Sequence, residues 1–134
     1  MNNEMPTALV TGGSRGIGRA IAETLAREGF QVFLTYVSRP EEAESVVTAI
    51  NKAGGQACAF RLDVGNPSAI AEFFAGEIRN KVNLAVLVNN AGITKDGFLV
   101  RMKDEDFDAV LNVNLRGAFV CTREAAKIMS KNRY

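Results

Sequence analysis

The chain has 134 residues, is 47% hydrophobic, and carries 16 Lys plus Arg against 15 Asp plus Glu, for a formal charge of +1. That composition fits one globular domain with its own core, and a charge so near zero speaks against a protein built around nucleic acid or an anionic membrane. No apolar run approaches a bilayer span, residues 1–6 lack the apolar stretch of a secretory signal, and with no His and no Cys-x-x-Cys a metal site is not expected.

Residues 1–6 read as a polar lead-in, and residues 7–11 as a first strand through Ala8, Leu9 and Val10. Continuous apolar side chains are what a strand covered on both faces requires. The run Thr11-Gly12-Gly13-Ser14-Arg15-Gly16-Ile17-Gly18 follows, and a helical pattern then runs from Ile17 to about Glu28. Strand, glycine turn and helix N-terminus together form a phosphate site: glycine lets a ligand lie against the main chain, and the first helical turn has free N–H groups. The spacing Gly12, Gly16, Gly18 is neither G-x-G-x-x-G nor a Walker loop. Close helix–sheet packing is the competing explanation of the turn. Ile17, Ile21 and Leu25 are expected to be core residues, and Gly29 to end the helix.

Residues 31–36 form a second expected strand. An acid at its end would hold the ribose hydroxyls of NAD. The sequence instead reads Thr35-Tyr36-Val37-Ser38-Arg39-Pro40, with no acid until Glu41. Ser38 and the guanidinium fork of Arg39, with Arg15 nearby, favour a 2′-phosphate and so NADP. The alternative for Arg39 is a solvated cation before a helix. Pro40 opens that second helix, with Ala43, Val46, Val47 and Ile50 inward, and Gly54-Gly55 closes it.

Residues 56–62 are a third strand candidate, closed by Asp63, which can cap the following turn. Asn66-Pro67 starts a third helix with Ile70, Phe73, Phe74 and Ile78 on its buried face, and residues 82–88 hold a fourth strand. Strands alternating with crossover helices imply an α/β fold with a mostly parallel sheet. Asn89-Asn90-Ala91-Gly92 is a turn after strand four, residues 94–102 a connection, and a long helix begins at Asp104. Phe107, Leu111, Leu115, Ala118, Thr122, Ala125 and Met129 mark its stripe, with a bend expected near residues 112–114. Asn114 is polar within that stripe and needs a hydrogen-bond partner if buried. Cys58 and Cys121, in different elements, read as small core residues.

Residues 11–18, Asp63-Val64, Asn89-Asn90-Ala91-Gly92 and Asn112-Val113-Asn114-Leu115, in this order, resemble the short-chain dehydrogenase/reductase family. Arg15 and residues 101–108 resemble its bacterial branch that reduces 3-oxoacyl groups on acyl-carrier protein. The resemblance implies a Rossmann-like three-layer sandwich with strand order 3-2-1-4, helices one and two on one face, and helix three and the last helix on the other. Its switch point between strands one and four would be the ligand crevice. It further implies that Gly12, Ser14, Arg15, Gly16, Ile17, Gly18, Ser38, Arg39, Asp63, Val64, Asn90, Ala91 and Gly92 hold NADP, with Asp63 at adenine. It places Asn114 beside the chemistry, organising a water and a catalytic lysine, and implies a cytoplasmic homo-oligomer that takes acyl-carrier-protein-linked substrates.

The resemblance spans nearly all of residues 1–134 but only about half of a family member. A single incomplete NAD(P)-binding domain is therefore expected, with strand five onward outside the matched segment. The serine, tyrosine and lysine used by such reductases also fall outside it. Tyr36 lies at the adenine side, and Tyr134 is followed by no lysine in this sequence. Two functions stay open: NADPH-dependent reduction of a 3-oxoacyl thioester by an intact parent, and a nucleotide-binding or assembly module without reductase activity.

Overall fold

The computed structural model describes residues 5–93, 95 and 97–132. Residues 1–4 of the lead-in, Thr94 and Asp96 of the connection, and Tyr134 lie outside the described residues. Strands β1 (Pro6–Val10), β2 (Gln31–Tyr36), β3 (Ala57–Arg61) and β4 (Asn83–Val88) alternate with helices α1 (Gly16–Arg27), α2 (Pro40–Lys52) and α3 (Pro67–Phe73). All strand pairs are parallel and the order is β3-β2-β1-β4. Element ends differ from the sequence reading by one residue in most places, because the hydrophobic pattern does not mark where ladder bonding stops.

Helices α1 and α2 cover one face over Val10, Ala22, Val32, Leu34, Ala43, Val46 and Ile50. On the other face, α3 and α5 (Ala118–Asn132) cover Leu9, Phe33, Ile70, Phe74, Leu84, Val120, Cys121 and Ile128. Phe33, Phe60, Phe73 and Phe74 chain across that layer with ring centroids 5.0, 5.3 and 5.7 Å apart. Asn66 caps α3 by accepting from the Ala69 amide at 3.2 Å, with Pro67 at the first helical position, as the sequence predicts.

The β1–β4 ladder is irregular. Thr7 pairs with Leu84 and Ala8 with Val86, so Ala85 is an extra residue on β4. Bulges are unusual in parallel pairs. Leu84 and Leu87 consequently face the same core layer despite a spacing of three.

Two segments leave α-helical geometry. Helix α3 runs on as a π-helical turn over Phe74–Ile78, and a second π segment, Asn112–Gly117, joins α4 (Asp104–Leu111) to α5. A π turn inserts one residue into the helical phase. The residues where a bend was expected, 112–114, fall within this π segment.

One expectation is corrected here. Ile17 is not a core residue: it is 75% exposed, and the buried residues of α1 are Gly18 and Ala22. Its position in the first turn carries its side chain past the end of the sheet, since helical side chains lean toward the N-terminus. The stripe from Phe107 to Met129 divides between the sheet and the surface. Phe107, Leu111, Leu115 and Phe119 are exposed, while α5 buries Val120, Cys121, Ala125 and Ile128. Glu124 sits among those buried residues, held by Lys127 at 3.2 Å and Arg123 at 3.4 Å. The hydrogen bond from Lys127 keeps its carboxyl below the usual range.

Candidate functional site

The carboxyl ends of β1 and β2 open onto a cleft of about 830 Å³. Its central rim is the turn after β1. Gly12 there has φ +67 and Gly16 φ +58, both in the left-handed region that disfavours residues with a Cβ. Arg15 stands at the N-cap of α1 without capping it through its side chain, and the first turn of α1 carries no acidic residue. The helix therefore presents uncapped N–H groups and the positive end of its dipole at the cleft.

The turn is locked from beneath. Thr11 is 2% exposed. Its hydroxyl accepts from the amides of Asn90 and Ala91, each at 3.1 Å, and lies 3.4 Å from the Val88 carbonyl. The Asn90 side chain donates back to the Gly12 carbonyl at 2.9 Å. From β2, the Thr35 hydroxyl accepts from the Gly12 amide at 3.3 Å. A Cβ on Gly18 would fall on the Gly12 carbonyl oxygen and Asn90 Nδ2. Gly18 thus serves the close packing of helix on turn, and that packing builds the rim.

At the β2 end the cleft is lined by Ser38, Arg39 and Glu42. Arg39 is the N-cap of α2 with φ 57 and ψ 64, and its Nη1 lies 3.3 Å from Glu42 Oε1. Beside it Asp63 accepts from the Gly65 amide at 2.8 Å, so its role as a turn cap is realised. The fourth wall is residues 90–93 with Val113. Asn114 clamps that wall: its side chain accepts from the Ile93 amide and donates to the Ile93 carbonyl, both at 2.8 Å. Asn89 points the other way and donates to the Thr122 hydroxyl at 3.0 Å.

Of the residues singled out from sequence, Gly12, Ser14, Arg15, Gly16, Ile17, Ser38, Arg39, Asp63, Val64, Asn90, Ala91 and Gly92 line this one cleft. Gly18 lies under the rim, and Asn114 acts on the lining through Ile93. Sequence reasoning missed Thr35, Glu42 and Ile93 as wall residues and Thr11 as the lock. Thr11 and Thr35 carried one usable signal, a hydroxyl directly after an apolar run, Ala8-Leu9-Val10 in one case and Val32-Phe33-Leu34 in the other. Neither thiol is primed for reaction: burial pushes Cys121 up to about 11 and raises Cys58 as well. Among the described residues no group of His, Cys, Asp and Glu is placed to hold a metal ion, and no helix is long and apolar enough to cross a membrane.

The short chain dehydrogenase family profile matches residues 6–134. The chain is 43% identical over 126 residues to the 3-oxoacyl-[acyl-carrier-protein] reductase of Synechocystis sp., covering 94% of this chain and 51% of that protein. It is 42% identical over 127 residues to the reductase FabG of Staphylococcus aureus, covering 95% and 52%. The chain thus spans about half the length of these curated relatives. Among solved structures, a metagenomic short-chain oxidoreductase in complex with NADP superposes with a TM-score of 0.90 at 38% identity, over 96% of this chain and 58% of that one. A dehydrogenase/reductase from Sinorhizobium meliloti superposes at 0.86 and 46% identity, over 92% and 49%.

Proposed function

We propose, from the premise that the chain belongs to the short-chain dehydrogenase family, that residues 1–134 form one dinucleotide-binding unit whose cleft takes NADP. The observation that carries this reading is the uncapped first turn of α1 opening into a cleft that ends at Ser38 and Arg39. The cleft fits the group. Gly12 and Gly16 leave backbone without side-chain cover, and the N–H groups of α1 suit a pyrophosphate. Ser38, Arg39 and Arg15 suit a 2′-phosphate, Asp63 and Val64 would border adenine, and residues 90–92 would border the path toward nicotinamide. When bound, such a cofactor supplies a hydride.

For the whole protein we assign NADPH-dependent reduction of a 3-oxoacyl thioester to the 3-hydroxyacyl thioester, with substrates carried on acyl-carrier protein. Support comes from the relatives named reductases of that kind. Within this chain, Asn114 is the residue nearest to that chemistry. It holds Ile93 by both backbone groups, and we assign it the ordering of the cleft wall where a substrate carbonyl would lie. The exposed row Phe107, Leu111, Leu115 and Phe119 supports assembly into a homo-oligomer, and we place the protein in the cytoplasm.

Calorimetric titration tests the cofactor assignment. NADPH is expected to bind more tightly than NADH, and Arg39→Ala to weaken NADPH selectively. Because Arg39 is 60% exposed, the expected loss is about 1 kcal/mol, roughly fivefold. Equal affinities, an equal loss for both cofactors, or no binding of either rejects the assignment.

One observation favours a second reading for the 134-residue polypeptide taken alone. It contains no Tyr-x-x-x-Lys, so it lacks the family's pairing of a proton donor with a lysine. By itself it would bind nucleotide without reducing a ketone. With an acyl thioester, NADPH consumption by this polypeptide is expected to stay at the cofactor blank. Turnover that persists through repurification contradicts this reading.

A further inference from the structure

We propose that Glu42 is a specificity-determining residue of the cleft, one that tempers the preference for a 2′-phosphorylated cofactor by competing for Arg39. The inference rests on the NADP reading above. Three observations place Glu42 in this role. It stands one helical turn after Arg39 and meets its guanidinium at 3.3 Å. It lines the main cleft and also the adjoining hollow shared with Ser14, Arg15 and Arg19. Finally, Arg39 is one of two non-glycine residues with positive φ among the described residues. That backbone is disfavoured for a residue with a Cβ, and the fork it carries is aimed at Glu42.

The chemistry works on both cofactors. A 2′-phosphate carries nearly two negative charges at neutral pH and would take the guanidinium through paired hydrogen bonds. Glu42 already accepts from that guanidinium, so an arriving phosphate either displaces it or lies within repulsive range of it. An unphosphorylated ribose offers hydroxyl donors instead, and the carboxylate can accept them. Asp63 is the other acid lining the cleft, and its Oδ1 is engaged by the Gly65 amide. Glu42 therefore penalises NADPH and assists NADH. The ion pair is partly solvated, with side chains 60% and 34% exposed, so its release is cheap and the effect is bounded.

The test is calorimetric titration of NADPH and NADH against the 134-residue chain and its variants. Glu42→Gln is expected to tighten NADPH about threefold to tenfold and to leave NADH unchanged or weaker. Glu44→Gln, which removes the same charge from an exposed position of α2 outside both hollows, is expected to change NADPH by less than about twofold, because a solvated charge away from the site is screened. In an Arg39→Ala background, the gain from Glu42→Gln is expected to shrink to what relief of direct carboxylate–phosphate repulsion leaves. Should Arg39→Ala be selective while Glu42→Gln leaves NADPH unchanged or weaker, this inference falls and the NADP reading stands. An undiminished gain in the Arg39→Ala background also overturns it, since competition for that guanidinium would then not be the cause. If Arg39→Ala weakens both cofactors alike, both readings fall together.

Discussion

Gly18→Ala is expected to cost about 3 kcal/mol of stability and to remove nucleotide binding from whatever remains folded. Alanine is the better helix former, by about 1 kcal/mol, so intrinsic propensity points the wrong way. Packing decides the outcome. The new Cβ would fall on the Gly12 carbonyl oxygen and Asn90 Nδ2. Neither can yield freely. Gly12 is tied to Thr35 at 3.3 Å, and Asn90 donates to that same carbonyl at 2.9 Å. Relief requires α1 to lift from the turn, which opens the rim and turns its N–H groups away from the cleft. Gly16→Ala is the control for stability, because its Cβ meets nothing within 4 Å and the folding cost there is backbone strain alone; it lines the cleft and is no control for binding. Urea unfolding of both variants, paired with NADPH titration, measures the difference. A Gly18→Ala protein with wild-type midpoint and affinity would show that the helix and turn are not in close register.

Thr11→Val should destabilise the chain by about 2 kcal/mol while changing its shape very little. Valine matches threonine in volume and branching, so packing beside β1 is retained. The hydroxyl is lost, and with it the acceptor for the Asn90 and Ala91 amides. Asn90 keeps a second acceptor in the Val88 carbonyl at 3.1 Å, whereas the Ala91 amide has no other acceptor among the described residues. A part-buried donor left without a partner costs at least what a hydrogen bond contributes. Thr11→Ser retains the acceptor and is expected to lose only the methyl contact. Hydrogen exchange adds a local readout: the Ala91 amide should exchange faster in Thr11→Val than in Thr11→Ser. Equal stability and equal protection in the two variants would remove Thr11 from the role of lock.

The parallel sheet was legible because runs such as Ala8-Leu9-Val10 must be covered on both faces, and the helices between them supply the cover; its order came from right-handed crossovers together with the family resemblance. The Asn66 cap and the Pro40 start were legible because those residues act locally. Ile17 was misread because periodicity says which face a residue occupies and nothing about where the sheet beneath it ends. The long C-terminal helix was legible as amphipathic, but its phase was not. The apolar residues of α4 and α5 fit one period of three to four, but the π segment Asn112–Gly117 shifts the phase between them. No local residue preference announces a π turn, so the pattern alone does not say which members of the stripe, such as Leu115 at 68% exposed, turn away from the sheet. Within the site, the glycines and Asn90 were readable from their motif. Glu42 was not, since only the left-handed backbone at Arg39 brings that carboxylate to the guanidinium.

The extra residue at Ala85 has a consequence best stated as parity. Side chains on a strand alternate sides, so an added residue that stayed in the ladder would reverse the assignment of all that follow. Ala85 stays out of the pairing, and beyond it Ala8 stands opposite Val86 and Val10 opposite Val88, so the sides that follow are those of a strand without it. Leu87 faces the α5 layer, Val88 the α1 layer, Asn89 reaches Thr122 of α5, and Asn90 reaches Gly12 beneath α1. The bulge thus works as a buffer: it takes up one residue of chain and still delivers each asparagine to its own side of the joint between sheet and cleft.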